Sequence, residues 1–344
     1  SFTADTSRIV EKYCHISKRL KNEIKAKISE TVSETYIAKE TNVSVHTVRR
    51  IIDDTTHLLK IKPLHDLPEH LCFDEFKSVK SSDSNMSFII CDSTTHKLVD
   101  VVRDRKSYSL KKYFHRFEPK TRLKVKTISI DMYLPYIQLI KEMFPNAKII
   151  IDPFHIVQAL NRELNRTRVR VMNQHRYKDA KLYRKLKYYW KLILKNPNEL
   201  QNYKYNRYKL FESFMTTQGI VDYILENNPS LKHDYEVVHS LRECIQDRDY
   251  IEFKETIEAA TQLDLSPGLK RVLKSLITYL PYIQNTCEYP TRTNGPIEGI
   301  NNKIKVLKRN AYGFRNYYHF RNRIILITKM FGPKQKGIKQ QLVA

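Results

Sequence analysis

The chain has 344 residues with 61 Lys and Arg against 37 Asp and Glu, a formal charge of +24 at pH 7. A cationic surplus of that size must lie mostly at the surface and attract a polyanion, which makes nucleic acid the leading partner. With 41% hydrophobic residues the chain can bury a substantial core, and disorder is excluded. None of the seven glycines forms a phosphate-cradling loop ahead of a helix, so no nucleotide is expected, and no apolar run of spanning length or lipidation signal points to a membrane. The five cysteines, Cys14, Cys72, Cys91, Cys244 and Cys287, are scattered and odd in number. They read as reduced thiols of a cytoplasmic protein. Ser1 at the first position suggests a trimmed chain.

Three short helices are expected over residues 16 to 52. Ile16, Leu20, Ile24 and Ile28 recur every fourth position, Ser33 can cap a helix carrying Ile37 and Ala38, and Ser44 can cap one carrying Val48, Ile51 and Ile52. The layout suits a helix-turn-helix within 1–55, whose third helix would present His46, Arg49 and Arg50 to a DNA major groove. The alternative is a small packing unit with a wet basic face. A connector over 56–68 holds Pro63 and Pro68, and the pattern then becomes strand-like.

Three strands are expected first, at Leu71 to Phe73 leading into Asp74, at Ser87 to Cys91 and at Leu98 to Val102. A helix around Leu110 to Phe117, a strand from Val125 to Ile130 ending in Asp131, a helix from Tyr136 to Met143 and a strand from Lys148 to Ile151 ending in Asp152 follow. Asp131 and Asp152 then lie at strand carboxyl ends, the edge where open α/β sheets bind ligands. From about 157 to 285 the chain reads as helical and very basic, with Arg168 and Lys185 among cations interleaved with tyrosines. That density suits a DNA backbone, against the plainer reading of wet basic helix faces. Trp190 is expected in the core.

The most informative helix is expected after Asn294-Gly295-Pro296, with Pro296 in the first turn. Ile297, Ile300, Ile304 and Leu307 form one buried stripe, and Glu298, Asn302, Lys305 and Arg309 form a second beside it. A carboxylate heading a basic face can hold a metal while the cations hold the phosphates on which it acts; an N-terminal Glu favoured by the helix dipole is the plainer reading. Single Asp residues are too common to identify a site, and Glu75, Asp92, Asp100 and Asp104 compete with Asp74. The order narrows the choice. Asp in the first strand, Asp at the end of the fourth and Glu on a late helix is the order of a ribonuclease-H-like nuclease core.

The segments Phe73-Asp74-Glu75-Phe76, Ile130-Asp131-Met132, Asp152-Pro153-Phe154-His155, Asn294 through Lys305 and Arg309 through Asn316 resemble the ISL3 family of bacterial insertion-sequence transposases. The resemblance spans about residues 30 to 330. It implies a DDE transposase with an α/β ribonuclease-H-like core of 69–156 and 286–330, a large all-α insertion of 157–285 and a basic tail of 331–344. Asp74, Asp131 and Glu298 would be the catalytic, metal-binding triad, with Asp152 and His155 supporting the site. Lys305, Arg309 and Arg315, with Asn302, would contact DNA. The resemblance further implies Mg²⁺, for which Mn²⁺ can substitute, double-stranded DNA as partner, a homodimer or higher assembly on it, and hydrolysis at the transposon end followed by 3′-hydroxyl attack on target DNA. Family members commonly carry a cysteine-rich zinc-binding segment at the N-terminus. Nothing in this sequence corresponds to it, and no zinc is expected. The rivals are another ribonuclease-H-like nuclease and a non-enzymatic DNA-binding regulator derived from a transposase.

Overall fold

The computed structural model describes residues 7–11, 14–59, 66–82 and 85–328. It divides into two compact units, unit 1 of residues 1–149 and 293–344 and unit 2 of residues 150–292. The expected connector lies outside the described residues from 60 to 65, including Pro63, and so does the whole expected tail of 331–344.

Unit 1 begins with α1 (Lys18–Lys27), α2 (Glu34–Glu40) and α3 (Val45–Leu59). The hydroxyls of Ser17, Ser33 and Ser44 each accept a backbone N–H three residues on, at 3.1 Å, and so satisfy a donor that the first turn leaves orphaned. Between α2 and α3 the chain reverses at Asn42, whose φ of 51° is left-handed, a conformation that a short polar side chain tolerates. Ile24, Ile28, Ile37, Ala38, Val48, Ile51 and Ile52 meet in one core, as the spacing requires.

The sheet is built from β1 (His70–Lys77), β2 (Met86–Asp92) and β3 (Leu98–Val102), then α4 (Ser107–Phe114), α5 (Pro119–Leu123), β4 (Thr127–Ile130), α6 (Leu134–Met143) and β5 (Lys148–Ile151). Strands β1 and β2 pair antiparallel with Phe73 opposite Ile90, β2 and β3 antiparallel with Ile89 opposite Val101, and β1 and β4 parallel with Leu71 opposite Ile128. The order β3-β2-β1-β4-β5 gives a mixed α/β unit compatible with a ribonuclease-H-like core. The short α5, opened by Pro119, is an element that apolar spacing did not announce. The division between the units falls inside β5.

Unit 2 holds α7 (Pro153–Gln174), α8 (Ala180–Tyr188), α9 (Trp190–Leu194), β6 (Asn206–Arg207), β7 (Phe214–Met215), α10 (Thr217–Glu226), α11 (Pro229–Asp247), α12 (Tyr250–Ala260) and α13 (Pro267–Glu288). It is not all-α, because β6 and β7 form a short antiparallel ladder. Asp234 on α11 is fully buried. It accepts the Thr167 hydroxyl of α7 at 2.7 Å and the Ser266 N–H at the head of α13 at 2.9 Å, so one carboxylate ties three helices. Thr286 on α13 accepts the Ile151 N–H at 3.1 Å and donates to the Ile151 carbonyl at 2.8 Å, a side chain standing in for a neighbouring strand. Two of the cations read as a surface are internal. Arg168 donates to the Leu186 carbonyl at 2.9 Å, and the Lys185 ammonium lies 4.3 and 4.0 Å from the ring centres of Phe211 and Tyr223. Trp190, expected in the core, is 39% exposed, because the break between α8 and α9 at Tyr189 lets Ile193 take the inward position instead.

The chain returns to unit 1 with α14 (Gly295–Asn310) and α15 (Tyr317–Ile327). The expected stripe of Ile297, Ile300, Ile304 and Leu307 is buried, packed with Cys72, Phe76, Ile89 and Cys91 on one face of the sheet. Each such side chain contributes roughly 1.5–3 kcal/mol on burial. The opposite face carries an aromatic cluster of Phe73, Phe88, Phe114 and Phe144. The buried Arg323 guanidinium of α15 donates to the carbonyls of Ile28, of Glu30 at 3.1 Å and of Val32 at 2.7 Å, and Asn322 donates to Asp53 at 2.8 Å. Helices α1 to α3 are thereby fastened to α15. All five cysteines are free thiols. No helix among the described residues is long and apolar enough to cross a membrane.

Candidate active site

The pleat of β1 decides which acidic side chain faces α14. Successive side chains point to opposite faces, so Leu71, Phe73 and Glu75 share one and Cys72, Asp74 and Phe76 the other. Cys72 and Phe76 pack with α14 and α15, and Asp74 turns the same way. Asn301 Nδ2 of α14 donates to Asp74 Oδ2 at 2.8 Å, and the Glu75 backbone N–H donates to Asp74 Oδ1 at 2.7 Å. Glu75 lies on the other face. There it accepts Arg105 Nη1 on both oxygens, at 2.6 and 2.8 Å, and the Tyr136 hydroxyl at 3.1 Å. Burial first, and then the Glu75 charge, raises the Tyr136 phenol above its ordinary value, so it stays protonated and donates.

The remaining competitors serve local structure. Asp92 accepts the Thr94 N–H at 2.8 Å and the Thr95 hydroxyl in a turn. Asp100 accepts the buried Tyr113 hydroxyl at 2.9 Å and pairs with Arg321. Asp104 accepts the Ser109 hydroxyl at 3.0 Å at the head of α4.

Asp131 follows β4 and is half-buried. Asn294, the residue that opens α14, donates through Nδ2 to Asp131 Oδ1 at 3.2 Å and to the Phe73 carbonyl at 3.2 Å. Glu298 is exposed in the first turn, four residues after Asn294 and three before Asn301. Residues at those spacings share a helix face. Glu298 therefore stands beside the buried asparagines that touch both aspartates, on the exposed side of the same helix. Among the described residues, the ligand atoms of Asp74, Asp131 and Glu298 are not all within 4.8 Å of one another. In unit 2, Asp152 caps α7 by accepting the Phe154 N–H at 3.4 Å, and His155 Nε2 lies 4.0 Å from its carboxylate.

Asn302, Lys305 and Arg309 are exposed on the second stripe of α14, and Arg315 is exposed beyond it. On α3, His46, Arg49 and Arg50 are exposed as well. Arg49 is partly committed, since its Nε donates to Glu34 at 3.1 Å while His319 engages the other Glu34 oxygen at 2.5 Å. Burial opposes the Glu34 charge, but the hydrogen bond and charge of His319, and then Arg49, hold its carboxyl below the ordinary value. Beside this network lies a cleft of about 1120 Å³ lined by Arg49, Lys80, Tyr312, Arg315 and Tyr318. Tyr312 is 99% exposed in a loop that turns left-handed at φ 53°, with Gly313 following at φ 95°.

Three residues here escaped the reading of the sequence: Asn294, Asn301 and Lys308. Asn301 and Lys308 lie four residues beyond Ile297 and Ile304, on the apolar stripe itself. Polar residues at core positions were the available signal. Lys308 reaches the carbonyls of Lys77 and Ser78, each at 2.9 Å, and burial, then the Lys77 charge, lowers its ammonium below the ordinary value.

A transposase family model matches residues 71–324. A protein named ATP-dependent protease, from Lactococcus lactis subsp. lactis, is 35% identical over 130 residues, covering 38% of this chain and 40% of that protein. The transposase for insertion sequence element IS1001 of Bordetella parapertussis is 27% identical over 286 residues, covering 83% of this chain and 67% of that protein. The chain thus spans well under half of the first relative and about two thirds of the second. The protease's name belongs to that protein alone, and no Gly-x₄-Gly-Lys-Ser/Thr run occurs in this sequence. The match runs from β1 into α15 and takes in all three acidic residues around α14; the chain belongs to the ISL3 family of DDE transposases of insertion sequences.

Proposed function

We propose that the protein binds the ends of an insertion sequence, hydrolyses a phosphodiester there and joins the freed 3′-hydroxyl to target DNA. The observation that supports this reading is that α14, the helix that carries Glu298, holds Asp74 and Asp131 through two asparagines. Two aspartates far apart in the chain meet the helix that carries the third carboxylate.

The family implies a divalent cation, Mg²⁺ or Mn²⁺ in its place. The acidic side chains around α14 fit a hard cation, since they offer oxygen atoms. Asp74, Asp131 and Glu298 would hold it, with Asp152 and His155 in support. When bound, such a cation offsets the negative charge that builds on the phosphate oxygens. Asn302, Lys305, Arg309 and Arg315 would hold phosphates along the outer face of α14 and beyond it, fixing the scissile bond relative to Glu298. His46, Arg50 and the Nη groups of Arg49 would enter a major groove as a helix-turn-helix does, on a mount made rigid by Arg323. Action in the cytoplasm on nucleoid DNA, by a homodimer that pairs two ends, completes the proposal.

The test is cleavage of a labelled duplex carrying the element's terminal repeats in Mg²⁺ or Mn²⁺, comparing the chain with Glu298→Gln. Nicking at the element boundary that vanishes in the variant while DNA binding persists supports the reading. Binding without cleavage in either protein supports the regulator instead.

A further inference from the structure

Asn294 and Asn301 are almost wholly buried, and the amide oxygen of each has no hydrogen-bond partner. A carboxylate accepts and cannot donate when ionised, so it is the Nδ2 group of each that faces its aspartate, and the orphaned atom is Oδ1. A buried amide oxygen left unpaired is destabilising, because it has given up water without gaining a donor. Both positions adjoin the apolar cluster of Ile297, Ile300 and Ile304, an unusual place for an amide whose oxygen has no partner.

We infer that Asn294 and Asn301 are positioning residues that fix the orientation of Asp131 and Asp74, an inference that rests on the catalytic reading of those two aspartates. Asn301 holds Oδ2 of Asp74 at 2.8 Å while the backbone N–H of Glu75 holds Oδ1 at 2.7 Å, which leaves the carboxylate little freedom to rotate. Asn294 divides its N–H groups between Asp131 Oδ1 and the Phe73 carbonyl, both at 3.2 Å, so it links the end of β4 to the residue before Asp74. An amide suits this task better than a cation. Lys or Arg would bind the same oxygens but neutralise them and repel a divalent ion, whereas a neutral N–H orients the carboxylate and leaves its charge in place. Because both amides sit on the helix that carries Glu298, seating α14 on the sheet and orienting the two aspartates become one event.

The experiment uses the full chain with Mn²⁺ alone, without DNA, and reads the Mn²⁺ concentration that gives half of the metal-induced thermal shift, together with the melting temperature in EDTA. Asn301→Leu should melt in EDTA near the parent temperature, and Asn294→Leu a few degrees below it, because the Phe73 carbonyl loses a donor. Each should need about 10-fold more Mn²⁺ or beyond, the usual effect of removing a group that orients a metal ligand. Cleavage should then recover at saturating Mn²⁺. An unchanged Mn²⁺ midpoint in both variants overturns the inference. So does a collapsed melt in EDTA for both Asn301→Leu and Asn301→Ser, which would mark a structural role. Asp74→Asn separates this inference from the reading beneath it. If that variant keeps the full Mn²⁺ shift, the catalytic assignment itself fails; if it loses the shift while the asparagine variants keep theirs, only the inference fails.

Discussion

Asp234 in unit 2 and the pair Asp74 and Asp131 in unit 1 are the same residue type put to opposite uses. Asp234 has no exposed surface, and the hydroxyl and N–H it accepts come from two other segments of a packed helical unit. Asp74 and Asp131 keep part of their surface open and are held by amides on a helix whose exposed face carries Glu298 and a row of cations. A carboxylate shut away from solvent works as a staple. One that keeps part of its surface exposed can still meet a ligand.

The sharpest way to break that comparison is to remove the charge from each kind. Asp74→Asn should lower cleavage by about 10³-fold or more while leaving the melting temperature in EDTA unchanged or raised, as two neighbouring negative charges no longer repel. Asp234→Ala should instead cost about 3–4 kcal/mol in a denaturant titration, because it strands the Thr167 hydroxyl and the Ser266 N–H in the interior. If both variants lost activity and stability alike, the distinction between staple and site would not hold.

A smaller effect concerns protons in unit 2. His239 donates from Nε2 to the Ile193 carbonyl at 3.0 Å and faces Arg242, and burial pushes its imidazole down to about 4 from 6.5. The folded state therefore binds fewer protons than the unfolded one below pH 6.5. Its contribution is complete above that value and is lost as pH falls toward 4, by about 2–3 kcal/mol. His239→Gln should flatten the pH dependence of unfolding over that interval. Smallest of all, Arg315→Ala should weaken DNA binding by a few fold and reduce the slope of log affinity against log salt by about one, measured by titration at several salt concentrations.

Helices α1 to α3 and α14 were legible because their signals are local. A serine cap, an apolar repeat of three or four and a proline in the first turn act within one or two turns of chain. The β1 strand and Asp74 were legible only in part. Alternation separates Asp74 from Glu75, but which face meets α14 depends on a helix more than 200 residues away. Asp100 and Asp104 look as catalytic as Asp74 in one dimension, and they lose that standing once Tyr113, Arg321 and Ser109 are seen to occupy them. Arg168 and Lys185 read as part of a basic surface because charge pattern does not reveal which cation finds a carbonyl or an aromatic cage within reach.

By itself the sequence determined the cationic character, most strands and helices of unit 1, and membership of a family whose motifs are contiguous, since each depends on composition or on neighbours a few residues apart. Only the tertiary structure decided that Asn294 and Asn301 hold the aspartates, that Arg323 fastens the first helices to α15, and that Asp234 is fully buried while Asp74 keeps part of its surface exposed. The reason is physical: a hydrogen bond acts over about 3 Å, and the chain brings partners such as Asp74 and Asn301 to that distance only when the sheet and the returning helix are packed together.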